Sequence, residues 1–222
     1  FLVAHIDAPR LDLKANPLYQ EGNMALLKTC YYGGIKKYQW LSLPLAVYGT
    51  VVLKDGTRKD IAIGDAPGDP VFAITDLLPH LAKDQYKKTI EEGFPGESLN
   101  ILAGSIPTGD RKHQKDAVRK EILSILRNMF GIDEDDFMSA DLQAVPAGPA
   151  RDLGLDRSMI LAYGHDDRVC AYAAFRAVLG IEKPPFTTVC ILADQEEIGS
   201  RGATSAQSAF VRFFMEEVAE KC

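Results

Sequence analysis

The hydrophobic positions of this chain change rhythm several times along its length. "FLVAHI", residues 1–6, is an apolar run that reads as a short buried strand. Between 45 and 63, "LAVYGTVVL" and "DIAI" flank Lys54-Asp55-Gly56-Thr57, and Asp-Gly between apolar runs is a strong hairpin signal. "VFAI", residues 71–74, predicts a further strand. From 83 to 113 the pattern is weak and polar, punctuated by Gly93, Pro95, Gly96, Pro107 and Gly109, which predicts a long loop. Over 114–130 the period turns helical: Val118, Ile122, Ile125, Leu126 and Met129 share a face, and Gly131 supplies a stop. An acidic turn, "GIDEDDF", and the Pro/Gly-rich "VPAGPARDLG" then mark a crossing between units.

Beyond that crossing the order is apolar run (158–163), helix, strand, helix. Asp166 and Asp167 open a helix that runs to Gly180, "FTTVCILAD" is a strand, and "ATSAQSAFVRFFMEEVAEKC" is a second helix. This is the βαβ signature of a parallel sheet covered by helices. The predicted fold class is therefore α/β, a parallel-type mixed sheet flanked by helices and interrupted by a β-rich insertion.

Composition narrows the function classes. With 46% hydrophobic and 25% charged residues among 222, the chain reads as ordinary globular protein. A net charge of −6 and a pI near 5.3 argue against nucleic acid as partner, because neutralising phosphates needs a basic face. The longest apolar stretch, "LSLPLAVYGTVVL", is broken by Pro44 and Gly49 and falls short of the ~20 residues of a membrane helix. Cys30, Cys170, Cys190 and Cys222 are too scattered for a zinc knuckle. Two lie in apolar patterns, as buried reduced thiols of a cytoplasmic protein do. The chain opens in mid-strand without an initiator Met and stops with a helical pattern still running, so it reads as a piece of a longer protein.

Three short stretches combine metal-ligand residue types with turn positions: "HIDAPR" (His5, Asp7), "GHDDR" (Asp166, Asp167) and "DQEEIGS" (Glu196, Glu197). Each stands where a strand ends or a helix begins, and in an open α/β sheet ligands gather at the carboxyl ends of strands. A lone His after a strand is commonly structural, but Asp7 two residues on lies on the same side of an extended chain and can orient the imidazole for a metal. An Asp at a helix start caps free N–H groups. Only one of Asp166 and Asp167 can do so; the other is free to point toward the cleft, where it could bridge two cations. Adjacent glutamates repel unless cations neutralise them. In an extended segment their side chains diverge, so one can bind metal while its neighbour holds a water. His80, His113 and His165 have no spaced partner and read as structural or surface residues. No serine-hydrolase elbow, dinucleotide fingerprint or P-loop is present. Imidazole plus carboxylate without thiolate suits zinc, cobalt or manganese rather than calcium.

Taken together, "HIDAPR", "GHDDRVCAYAAF" and "DQEEIGSRGATS", with "YYGGIKKYQW" and "GLDRSMI", resemble the aspartyl aminopeptidase family of co-catalytic dizinc exopeptidases, in particular its bacterial branch of probable aminopeptidases. The resemblance implies a catalytic α/β domain at 1–12 and 155–222, incomplete at both ends. It implies an inserted β-rich dimerisation domain at 13–154 with one helix near 114–130. It implies that His5 and Glu197 are metal ligands, Asp166 bridges two metals, Asp7 orients His5, and Glu196 is the general base in removing the N-terminal residue of peptides. The implied cofactors are two divalent ions, zinc first, with cobalt or manganese as alternatives. The implied partners are peptide substrates and further copies of the chain, in a dodecamer built from dimers. Two features depart from the family pattern. A further Asp and a further His ligand lie downstream of the last motif in the family. Tyr38 stands near a histidine of the aspartyl-specific members, and only Lys36 and Lys37 speak for acidic substrates. Two other functions compete: a dizinc deacylase or amidase, which would take N-acyl amino acids, and a non-catalytic scaffold, which would bind no metal.

Overall fold

The computed structural model describes residues 1–109 and 115–221. In chain order the strands are β1 Leu2–His5, β2 Arg10–Glu21, β3 Met24–Tyr32, β4 Leu45–Val52, β5 Arg58–Ile63, β6 Ile101–Gly104, β7 Ala140–Pro146, β8 Arg151–Leu153, β9 Met159–Leu161 and β10 Cys190–Ala193. The helices are α1 Ile90–Gly93, α2 Ala117–Phe130, α3 His165–Leu179 and α4 Ala209–Lys221. The chain divides into two compact units. One comprises Phe1–Pro9, Tyr32–Gly34 and Ala150–Cys222, the other Arg10–Tyr31 and Ile35–Pro149.

The second unit is built on a six-stranded sheet in the order β5-β4-β7-β2-β3-β6. The predicted hairpin is β4 and β5, antiparallel in register from Val47↔Ile63 to Val52↔Arg58. Its turn closes on Asp55, whose carboxylate accepts from the Thr57 N–H at 2.8 Å. Strand β7 pairs with β4 from Leu45↔Pro146 to Val51↔Ala140. Gly49 sits opposite Leu142 with φ +143, and a Cβ there would lie 1.9 Å from the Asp141 carbonyl, so only glycine lets the two strands meet. Helix α2 ends at Gly131 as its sequence predicts, with the Gly131 N–H bonded to the Arg127 carbonyl. Its first free N–H groups, on Val118 and Arg119, are taken by the Gln20 side chain reaching from β2. Val118, Leu11, Trp40, Leu45, Ile101 and Phe137 belong to the buried core of this unit.

Several details differ from the pattern reading. Ile122 and Leu126 pack on the core, but Ile125 and Met129 are exposed, so the buried stripe of α2 is narrower than the periodicity suggests. Residues 71–74 form isolated bridges to Leu41, Leu45 and Leu102 rather than a strand. The described part of the 83–113 segment holds α1, short 3₁₀ turns and β6, because Ile101 and Leu102 find hydrogen-bond partners in β3. His113 lies outside the described residues.

In the first unit β1 and β10 run parallel, Leu2↔Cys190 to His5↔Ala193, and α3 packs against both. Strands β8 and β9 form a separate antiparallel pair. Strand β1 is not the buried strand its sequence predicts: Phe1, Leu2, Val3 and Ile6 are exposed, because it pairs only with β10 among the described residues. Helix α3 buries only Ala171, and α4 has no buried residue. Cys170 is accordingly exposed and Cys190 half-buried, Cys30 is exposed, and Cys222 lies outside the described residues, so the expectation of buried thiols is corrected.

Candidate metal centre

Parallel pairing brings the carboxyl ends of β1 and β10 to one edge. The Ile6 N–H donates to the Ala193 carbonyl at 2.8 Å, so His5 and Asp194 leave the sheet side by side. The arriving helix is tied there too: the Arg168 Nε donates to the Ile6 carbonyl, and the Tyr163 hydroxyl to the Pro9 carbonyl at 2.7 Å.

The turn carrying the two glutamates is not extended, as the sequence reading supposes. Gln195 takes φ +61, Glu196–Ile198 make one 3₁₀ turn, and Gly199 closes it with its N–H on the Glu196 carbonyl. The reason lies in Asp7. Its carboxylate accepts from both glutamate backbones, the Glu196 N–H at 3.1 Å and the Glu197 N–H at 3.2 Å, and consecutive N–H groups converge on one anion only in such a turn.

Asp7 is 5% exposed. Burial alone would raise its pKa. The Tyr32 hydroxyl and the two backbone N–H groups outweigh that and hold it below the usual aspartate value. His5 Nδ1 lies 2.9 Å from the Asp7 carbonyl oxygen and 3.4 Å from its Oδ1. The imidazole is therefore steadied chiefly by the backbone of Asp7. Its other nitrogen, Nε2, faces Asp166 Oδ1 at 3.1 Å and Glu196 Oε2 at 3.7 Å. Burial would lower the His5 pKa, but the Asp7 carbonyl and the carboxylates of Glu196, Asp166 and Asp7 raise it overall. Glu197 is pushed up, mainly by burial, with His5 opposing and Asp166, Glu196 and Asp7 adding repulsion.

Asp166 and Asp167 do not open α3 as helical residues. Asp166 has φ −86 and ψ 110, Asp167 has φ −116 and ψ 25, and the residue in the capping position is Gly164. The extended backbone at Asp166 brings its carboxylate to His5, while Asp167 accepts from the Cys170 thiol and raises that thiol's pKa. His165 Nε2 is 3.1 Å from the Ile160 carbonyl, and His80 is exposed. Tyr38, in the second unit, packs its ring against Phe94, and Lys37 donates to the Glu91 carbonyl. Two contributors escape the motif reading. Tyr32 donates to Asp7 Oδ2 at 2.7 Å. Gly33, with φ +76, leaves room for Glu197, whose Cβ would stand 3.0 Å from a Cβ added there. The only signal for either is the "YYGG" stretch, which carries no metal-ligand residue type.

A family model described as aminopeptidase I zinc metalloprotease (M18) matches residues 1–222. The chain belongs to this family. It is 50% identical over 221 residues to a probable M18 family aminopeptidase 1 of Clostridium acetobutylicum, covering 100% of this chain and 47% of that protein. Against the protein of the same name from Thermotoga maritima it is 52% identical over 209 residues, covering 94% and 45%. The crystal structure of an M18-family aminopeptidase from Thermotoga maritima superposes with a TM-score of 0.91 at 49% identity, covering 99% of this chain and 48% of that one. The chain thus spans about half the length of these relatives.

The side chains fit the metal that the M18 family description names. His5, Glu196 and Glu197 each offer one ligand atom, and these atoms lie within 4.8 Å of one another. Imidazole nitrogen and carboxylate oxygen without thiolate form a donor set suited to zinc. Asp166 brings a further carboxylate to the same imidazole nitrogen.

Proposed function

We propose that this chain carries part of the active site of a metal-dependent aminopeptidase that removes the N-terminal residue of peptides. The observation that carries the reading is the convergence of His5, Glu196 and Glu197, within 4.8 Å, at the paired ends of β1 and β10 in an M18-family chain. His5, Asp166 and Glu197 would hold two divalent ions, zinc first and cobalt or manganese as alternatives. When bound, such ions supply Lewis acidity toward water and the scissile carbonyl.

The remaining roles belong to the chain itself. Glu197 is half-buried beside like charges, a position that favours a ligand whose charge a cation neutralises. Glu196 is exposed at the same place, as suits a base that takes a proton from the attacking water and delivers it to the leaving amine. Asp7 keeps His5 oriented and pins the turn that bears both glutamates.

We further propose that 1–12 and 155–222 belong to the catalytic domain, and that 13–154 forms an inserted domain for contacts between copies, its Tyr32–Gly34 stretch returning to the unit that holds the site. One structural relative, mApe1 of S. cerevisiae, is a dodecamer. A homo-oligomer of dimers is the assembly proposed here, on the family resemblance. Among the described residues no helix is long and apolar enough to cross a membrane.

The deciding experiment uses the full-length protein, stripped with chelator and refilled with zinc, cobalt or manganese. It is assayed on aminoacyl substrates and on N-acyl amino acids. Activity that vanishes with chelator, returns with metal and requires a free α-amine supports the reading. Turnover of N-acyl substrates alone points to a deacylase, and a folded protein without metal or activity points to a scaffold.

A further inference from the structure

Asp7 gathers donors from three separate parts of the sequence. Its Oδ1 accepts from the Glu196 N–H at 3.1 Å and lies 3.4 Å from His5 Nδ1. Its Oδ2 accepts from the Glu197 N–H at 3.2 Å and from the Tyr32 hydroxyl at 2.7 Å, the shortest of these contacts. Tyr32 is itself buried, at 8% exposure. The residue after it, Gly33, abuts Glu197. A single dipeptide therefore touches both the anion behind His5 and one of the glutamates in front of it.

We infer that Tyr32 is a positioning residue of the metal centre, acting through Asp7. A buried carboxylate needs its lone pairs satisfied to hold one orientation. A phenol does this without adding positive charge beside ligands that must attract a cation, whereas a Lys or Arg in its place would compete with the metal. With Oδ2 held by Tyr32, Oδ1 stays aligned on the Glu196 N–H and toward the Nδ1 side of His5. Together with the Asp7 carbonyl, 2.9 Å from Nδ1, that arrangement favours the proton on Nδ1 and leaves Nε2, the nitrogen that faces Asp166 and Glu196, for a cation. Loss of the hydroxyl leaves Oδ2 with the Glu197 N–H, so the carboxylate that backs the glutamate turn and the Nδ1 side of His5 is held less firmly.

This inference rests on the metal reading of the site. It is tested on the full-length protein with Tyr32→Phe, which removes one oxygen and keeps the ring. Zinc affinity is read by competition with a chromogenic chelator, and the cobalt form by its visible spectrum. The expected result is zinc binding weaker by about 10–100-fold, the range for lost outer-shell partners of a metal site. The cobalt spectrum is expected to shift, and kcat to fall with KM nearly unchanged. The double variant Tyr32→Phe/Asp7→Asn should bind zinc no more weakly than Asp7→Asn alone, because both changes act through one carboxylate. Wild-type zinc affinity and an unchanged cobalt spectrum in Tyr32→Phe would overturn the inference. So would losses that add in the double variant, or a lowered thermal midpoint of the metal-free protein with metal affinity intact. Failure of the wild type itself to take up zinc would instead sink the metal reading, and this inference with it.

Discussion

Two neighbouring glutamates at one strand end differ in their surroundings more than in their chemistry. Glu197 is half-buried behind the Tyr32-Gly33 stretch, and Glu196 is exposed beside His5 Nε2. The proposed split of roles follows from that difference and makes an asymmetric prediction. Glu196→Gln in the full-length protein should leave metal content, read by elemental analysis, at the wild-type level. It should lower kcat by about 10²–10⁴-fold, as loss of a general base does. If the metal is lost instead, the two roles are reversed. At this scale the sequence exposes the residue types well. His5, Asp7, Asp166, Glu196 and Glu197 stand out because imidazoles and carboxylates after apolar strands are chemically conspicuous. Tyr32 does not, because a tyrosine in an apolar stretch is ordinary, and its hydroxyl gains meaning only from Asp7, 25 residues earlier in the chain.

Among the elements, the β4–β7 ladder is the most demanding. A side chain on Gly49 would collide with the Asp141 carbonyl on the adjoining strand, with no flexible group to move aside. Gly49→Ala is expected to cost about 3 kcal/mol, combining overpacking with an unfavourable φ, and a denaturant titration of the chain would register it. The same strand carries a pH-dependent link. The Tyr48 hydroxyl donates to Asp65, which with burial and the nearby Asp69 pushes the phenol pKa from its ordinary 10 up to about 12. The folded state thus favours the protonated phenol. The associated stability is fully present below pH 10 and is lost as pH rises through about 12. Tyr48→Phe should flatten that part of the stability–pH curve. An effect of about 1 kcal/mol is expected for this partly solvated group, measured as denaturation midpoints between pH 9 and pH 12. The turn and stop signals at Asp55-Gly56 and Gly131 were readable because they are local. The long strands β2 and β3 and the short β6 were not, because their identity depends on partners far along the chain.

Over the whole molecule the two units are unequally provided with core. The large buried cluster, from Leu11 to Ala144, lies within 10–31 and 35–149. In the other unit the apolar residues of α3 and α4, such as Phe175, Leu179, Phe210 and Phe213, stand exposed. Hydrogen exchange on the 222-residue chain should show strong protection in β4 and β7 and near-random-coil exchange in α4, which has no buried residue. In the full-length protein α4 should become protected. Equal protection of α4 in both would mean that the helix is held by something other than burial of its apolar face.

The sequence by itself determined which chemistry is available and where the chain turns. Residue type is written directly in it, and periodicity, Asp-Gly turns and glycine stops act over a few residues. The tertiary structure alone decided the geometry of the centre. It bent the paired glutamates into a 3₁₀ turn, drew Asp166 out of helical conformation to face His5, and brought the Tyr32 hydroxyl onto Asp7. Each of these rests on contacts between segments tens to hundreds of residues apart. Such contacts are set by the parallel register of β1 on β10 and the donor requirements of one buried carboxylate, and neither is visible in any local window of the chain.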